Sequence, residues 1–171
     1  GASKEGISNV VTVSAAAAKR IAKISGDGAG TAGGNKTLTA RVLDQYDNPV
    51  SGEMVFFLVT QGDGSVLPAS TPSLATGNAS TTLTTDVVAG DNRVRASILD
   101  GNPDIDEEVE FSVVTTAGTI AYFTVVPQTT SLVAGQSVPL TITAYDAGNN
   151  VVTSDDVTQV QLSSSGSAQF G

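Results

Sequence analysis

The chain has 171 residues, 17 of them acidic and 8 basic, for a formal net charge of −9, and it contains no histidine, cysteine or tryptophan. Those absences exclude a Cys/His zinc site, haem or iron–sulfur ligation by the usual side chains, a Ser-His-Asp or Cys-His nucleophile, and any disulfide. An acidic chain without a basic patch is also a poor partner for nucleic acid and for anionic membrane surfaces.

The longest apolar run, Met54–Val59, is far short of the roughly 20 residues that span a bilayer. Gly1–Val10 lacks the charged-then-apolar pattern of a signal peptide. At 40% hydrophobic and 15% charged residues the composition is that of a folded chain. Its wealth of valine and threonine, both β-branched, predicts an all-β fold.

In chain order, Ala15–Ala18 is too short to nucleate a helix and reads as a linker. A first strand follows from Lys19. Leu38, Ala40 and Val42 then alternate with Thr37, Thr39 and Arg41, the period-2 pattern of a strand with one buried face. Asp44–Val50 supplies turn chemistry. Met54–Val59 is apolar throughout, as expected of a strand covered on both faces or one whose outer face meets a neighbour. Phe56 and Leu58 would point away from Val55, Phe57 and Val59. Ser65–Leu67 reads as a short strand and 68–75 as loop. Ala79, Thr81 and Leu83 form the next inward set, then Val94, Ala96 and Ile98, and finally Val109, Phe111 and Val113. Gly101-Asn102-Pro103-Asp104 reads as the hairpin turn between the last two strands. Pairing about it sets Arg95 near Glu110 for a cross-strand ion pair. The count from Lys19 is seven strands, spaced as in a β-sandwich.

Sliding the chain against itself by 102 positions sets Ala32-Gly33 on Ala134-Gly135, Leu38-Thr39 on Leu140-Thr141, Asp44 on Asp146, Asn48 on Asn150 and Val50 on Val152. Upstream, Val11 falls on Val113. A period of this length indicates tandem whole domains rather than solenoid units. The repeat predicts three segments. Residues 1–14 correspond to the last strand of a preceding domain, 15–115 to a complete domain, and 116–171 to the first half of a following one. Val157–Leu162 and Ala168–Phe170 would be the third and fourth strands of that half. Half a sandwich exposes its core and its strand edges, so the chain reads as a window cut from a longer protein. Completion of the half by strands from a neighbouring molecule is the second option.

The stretch Leu38–Val59 carries an alternating strand, Asp44, a turn ending in Asn48-Pro49-Val50, and a strand with Val55-x-Phe57. It resembles bacterial Ig-like domains of the invasin/intimin type (group 1). Gly62–Leu67, Thr76–Thr84 and Asn92–Ile98 follow in that family's order. The resemblance covers about 19–114, and its first half recurs in 119–171. Gln45-Tyr46-Asp47 departs from the family, which often has a small residue and glycine there. The resemblance implies tandem Ig-like β-sandwiches, one complete and flanked by partial ones, in a rigid extracellular stalk on the bacterial cell surface. The implied partners are neighbouring Ig-like domains of the same or adjacent chains, and a host or cell-surface receptor reached through a tip outside this stretch.

Three features bear on chemistry. Asp104, Asp106, Glu107 and Glu108 form the densest acidic cluster, which reads either as a calcium site or as a charged hairpin tip; Asp155-Asp156 is a weaker version. Asp44, Asp47 and Asn48, with Asp146, Asn149 and Asn150 at the repeat positions, read either as an interdomain metal or hydrogen-bonding site or as Asx-turns. Asn35-Lys-Thr37 and Asn78-Ala-Ser80 match the glycosylation sequon. No residue is assigned a catalytic, cofactor-binding or metal-binding role. The expected function is non-enzymatic, a spacer or adhesion stalk. The alternatives are a subunit of a self-assembling surface layer or filament and an accessory module of a secreted enzyme.

Overall fold

A computed structural model describes residues 14–98 and 108–163. Among them every regular element is a strand, and no helix is long and apolar enough to cross a membrane. The chain divides into two compact units, Gly1–Thr116 and Ala117–Gly171.

The first unit holds β1 (Arg20–Ser25), β2 (Gly28–Thr31), β3 (Asn35–Leu43), β4 (Met54–Gln61), β5 (Ser65–Leu67), β6 (Ser70–Pro72), β7 (Asn78–Thr84), β8 (Asp91–Ile98) and β9 (Glu108–Thr116). One sheet has the order β1-β3-β7-β5 and the other β2-β9-β8-β4-β6. All pairings are antiparallel except β2 with β9. The inward sets read from the alternation meet between the sheets. Ile21, Leu38, Ala40, Val42, Ala79 and Leu83 come from the four-stranded sheet, and Val55, Phe57, Val94, Ala96, Ile98, Phe111 and Val113 from the five-stranded one. Thr81 is buried with them and donates its hydroxyl to the Pro68 carbonyl at 2.7 Å, so its polar atom is satisfied.

Two strands escaped the periodicity. β6 lies inside the segment expected to be loop, where it forms a three-residue edge against β4. β2 reads Gly-Ala-Gly-Thr and has no apolar alternation. It forms because the chain leaves β1 at Gly26 and crosses to the other sheet. A Cβ at Gly26 would lie 2.6 Å from Leu38 Cδ2, and its φ is +128°, a backbone that other residues avoid. The crossing is tied down by Asp27, whose carboxylate accepts the Ser112 amide at 2.9 Å and the Lys23 ammonium at 2.6 Å.

On the outer face the structure removes one of the two alternatives for Met54–Val59, coverage on both faces within the unit, and redirects the expected ion pair. Phe56 and Leu58 do point away from the core, but they are 39% and 54% exposed. Within this unit β4 is therefore covered on one face only. Arg95 and Glu110 are direct cross-strand partners, yet the ion pairs run diagonally, Arg93 to Glu110 at 2.6 Å and Arg95 to Glu108 at 3.5 Å. Strand twist brings the diagonal neighbour within reach of a long side chain. The turn at Gly101–Asp104 and the proposed strand in residues 1–14, apart from its final residue, lie outside the described residues.

In the second unit β10 (Tyr122–Pro127) pairs antiparallel with β11 (Leu140–Tyr145), from Tyr122↔Tyr145 to Pro127↔Leu140. These are the repeat positions of β1 and β3. The described residues of this unit bury a single side chain, Asp146, and leave Phe123, Val125 and Ile142 exposed. Val157–Leu162, expected as a third strand, forms none. Its counterpart β4 is held by hydrogen bonds to β8 and β6. The described residues of the second unit contain no counterpart of either, and a strand without a partner leaves its backbone groups unpaired. Ala168–Phe170 lies outside the described residues.

Candidate functional site

β3 ends at Leu43, and the next residue, Asp44, is 1% exposed. A buried carboxylate needs donors, and the local sequence brings them. Asp47 adopts φ +65°, a left-handed conformation that aspartate and asparagine tolerate better than most residues. That kink turns the chain back so that Oδ1 accepts the amides of Tyr46 at 2.8 Å and Asn48 at 2.9 Å. The Asn48 side-chain amide reaches Oδ2 at 3.0 Å and Oδ1 at 3.3 Å. So far this is the Asx-turn read from the sequence.

The last donor is remote. The amide of Ala16, 28 residues upstream in the incoming segment, donates to Asp44 Oδ2 at 2.9 Å. Three residues later the Lys19 amide donates to the Leu43 carbonyl at 2.9 Å. One residue further, Arg20 forms an ion pair with Asp47. The incoming segment is thus fastened to the end of β3 and its turn at three points, and we call this arrangement a clasp.

The second unit repeats the clasp at an offset of 102. Asp146 is 4% exposed and Asn149 has φ +64°. Oδ1 accepts the amides of Gly148 at 2.9 Å and Asn150 at 2.8 Å. The Asn150 side chain donates to Oδ2 at 2.9 Å and Oδ1 at 3.1 Å. The remote donor is the Gly118 amide, at 2.8 Å from Oδ2. The Ala121 amide donates to the Tyr145 carbonyl at 2.7 Å. In place of the ion pair, the Tyr122 hydroxyl donates to Asn149 Oδ1 at 2.8 Å, and the Tyr122 ring stacks on Tyr145 with centroids 5.2 Å apart. The third fastening survives a complete change of chemistry, from charge pair to phenol and amide.

Both carboxyls are strongly acidic. Burial acts to raise the Asp44 pKa, and hydrogen bonds from Ala16, Asn48 and Tyr46 outweigh it, bringing it to about 2 from an ordinary 3.8. For Asp146 the Asn150 side chain leads, followed by the Gly118 amide, and against burial they bring it to about 2. The donor set shows the Asx-turn and bears on the metal half of the other reading. Calcium and magnesium seek oxygen lone pairs. Here N–H groups converge on the oxygens, which makes a cradle for a carboxylate and not for a cation beside it.

The other candidates separate. Asp104, Asp106 and Glu107 lie outside the described residues, and Glu108 faces Arg95. Among the described residues no group of three or more acidic side chains is placed to hold a metal ion. Asp155 accepts the amides of Val157 at 3.1 Å and Thr158 at 2.7 Å, so it caps its own turn. The sequon residues Asn35 and Asn78 open β3 and β7. They accept hydrogen bonds from Thr84 and from Arg41. Two open clefts of about 220 and 320 Å³ border Lys23–Asp27 and Asp63–Ser65. In the larger, Asp86 accepts the amides of Asp63 at 3.0 Å and Val88 at 2.9 Å, so its oxygens serve the loop.

The sequence aligned the two aspartates and asparagines but missed Ala16, Gly118, Arg20 and Tyr122. Ala16 and Gly118 act through backbone N–H groups, which leave no trace in residue type. Arg20 and Tyr122 share a position but not a chemistry.

A family model described as bacterial Ig-like domain (group 1) matches residues 23–112. Among solved structures, the chain is similar to FdeC, described as a broadly conserved Escherichia coli adhesin, with 25% identity and a TM-score of 0.55 over 81% of this chain and 45% of that one. It is also similar to the D00-D0 domain of intimin, with 18% identity and a TM-score of 0.46 over 58% of this chain and 46% of that one. Domains 4–9 of the surface layer protein SbsC give 20% identity and a TM-score of 0.45 over 80% of this chain and 21% of that one. The chain spans less than half of each of these structures. Comparison with curated proteins returns no match.

Proposed function

Because the chain belongs to the bacterial Ig-like domain (group 1) family, whose model covers 23–112, we propose that it is a non-catalytic spacer in the stalk of a cell-surface protein. The observation that carries this reading is the repeated clasp. Two successive segments of one chain receive their incoming backbone in the same way, as the modules of a tandem array would. Likeness to the adhesin FdeC supports a surface location. On this reading 15–115 is a complete domain and 116–171 begins the next, whose exposed Phe123, Val125 and Ile142 await a second sheet. Recognition of a target belongs to a tip elsewhere in the array.

The test is deletion of 15–115 from the full-length protein on its native cell. A spacer shortens the reach of the outermost epitope while leaving target binding in solution unchanged. Loss of solution binding would overturn the proposal.

A second reading, lateral assembly into a layer, has one observation in its favour. Met54, Phe56 and Leu58 line the outer face of β4 at 41%, 39% and 54% exposure, an apolar stripe suited to contact with another molecule. Ordered polymers of the purified chain in electron micrographs, abolished by Phe56→Ser, would favour it over the stalk.

A further inference from the structure

We infer that the clasp is a tension latch, the first set of contacts to bear force drawn into a unit through its incoming segment. The inference rests on the spacer reading, since a spacer is pulled through its two ends. Among the described residues of the incoming segment, the first held to the end of β3 is Ala16, whose amide is bonded to Asp44 at 2.9 Å. Lys19, bonded to the Leu43 carbonyl, comes next. β1 then runs along β3 from Arg20↔Leu43 onward. The clasp therefore extends the β1–β3 ladder beyond the end of β3 by contacts that the strands themselves do not supply.

The remainder of the path is arranged to share load. β2 lies parallel to β9, from Gly28↔Val113 to Thr31↔Thr116. Pulling the incoming segment and the end of β9 apart draws these two strands in opposite directions along a common axis. Their hydrogen bonds are then strained together, whereas separation at one end would break them one by one. A segment that frayed upstream of β1 would spoil this geometry by letting the pull turn sideways. The clasp prevents that fraying. Asp44 is almost wholly shielded from water, so no solvent molecule replaces a lost donor without opening the turn.

The second unit repeats the latch: the Gly118 amide, the Ala121 amide and the Tyr122 hydroxyl make the corresponding contacts to Asp146, the Tyr145 carbonyl and Asn149.

The test holds the whole chain by its two ends under constant load and follows the event that unfolds the Gly1–Thr116 unit. Asn48→Ala removes the side-chain donor that holds the Asp44 carboxylate toward the Ala16 amide, so it loosens the bond that crosses from the incoming segment to the turn, and it leaves the core intact. Val59→Ala on β4, which β8 separates from β9, serves as a control after its stability loss at zero force is measured. A contact broken on the way to the transition state changes the unfolding rate in full, and one still intact there changes it little. Asn48→Ala is expected to shorten the lifetime under load about 5–30-fold, the factor that one or two kcal/mol produces. Val59→Ala is expected to change it by about twofold or less. In the unloaded wild-type chain the Ala16 amide should exchange slowly with solvent, and in Asn48→Ala faster. Equal shortening by both variants per unit of stability lost, no shortening by Asn48→Ala, or free exchange of Ala16 in the wild type would each overturn the latch. Failure of the spacer reading shows instead in the deletion assay on cells, which is blind to the force at which the unit opens.

Discussion

Asn48→Ala tests the clasp without substituting a charged residue or a core side chain. Asn48 is itself exposed, so its truncation leaves no cavity. Asp44 is 1% exposed, so water cannot readily replace the two bonds at 3.0 and 3.3 Å that the carboxylate loses. A hydrogen bond to a charged group contributes about 1.5–3 kcal/mol and an ordinary one about 0.5–1.5 kcal/mol. The half-exposed geometry places the expected loss at about 1–2 kcal/mol. For a unit of this size that lowers Tm by about 4–16 °C. The pH profile supplies a second signature. The folded pKa of Asp44 is depressed to about 2 from 3.8. Its contribution to stability is therefore complete above the unfolded value and is lost as pH falls through about 2. With one donor gone the folded pKa rises toward 3.8, and acid unfolding should begin at higher pH. Thermal melts from pH 7 to pH 2, with NMR titration of the Asp44 carboxyl, measure both quantities. An unchanged carboxyl pKa in Asn48→Ala, or a melting temperature within 2 °C of wild type, would refute the assignment of the buried carboxylate as the anchor.

The remaining predictions concern the sandwich. Phe111→Ala empties the largest fully buried side chain of the first unit and should cost about 3–5 kcal/mol in urea denaturation. Gly77→Ala places a Cβ 2.6 Å from the Val42 carbonyl at φ +75°, so it should destabilise by more than the ~1 kcal/mol that the same change yields at a permissive site. Amide exchange of Val42, which donates to the Gly77 carbonyl at 2.8 Å, should report the shift. Arg93→Ala breaks a pair whose partners are 40% and 45% exposed. It should lower the melting temperature only slightly at low salt and not measurably in molar salt, where exposed pairs are screened.

Much of the first unit was legible because a strand with one buried face writes its orientation into every second residue. Leu38, Ala40 and Val42 on β3 and Val94, Ala96 and Ile98 on β8 are buried as that alternation requires. The rule is silent where the backbone, not the side chain, decides. β2 carries two glycines, Gly30 because a Cβ there would sit 3.1 Å from Val113 Cγ1 and Gly28 because its φ is +104°, and glycine has no periodicity to read. Period also says nothing about partners: Val157–Leu162 has a strand's composition and, among the described residues, no strand beside it.

The sequence by itself determined the all-β class, the offset of 102 and the aspartate–asparagine pairs that recur across it, because hydrophobic period and turn chemistry are local. Only the tertiary structure decided what the buried carboxylates hold. Ala16 and Gly118 reach them through main-chain N–H groups that every residue but proline possesses, across 28 residues of chain. A contact made by the backbone over that distance has no spelling in residue type, and it exists only once β3 and β11 have set the turn beside the segment that comes in.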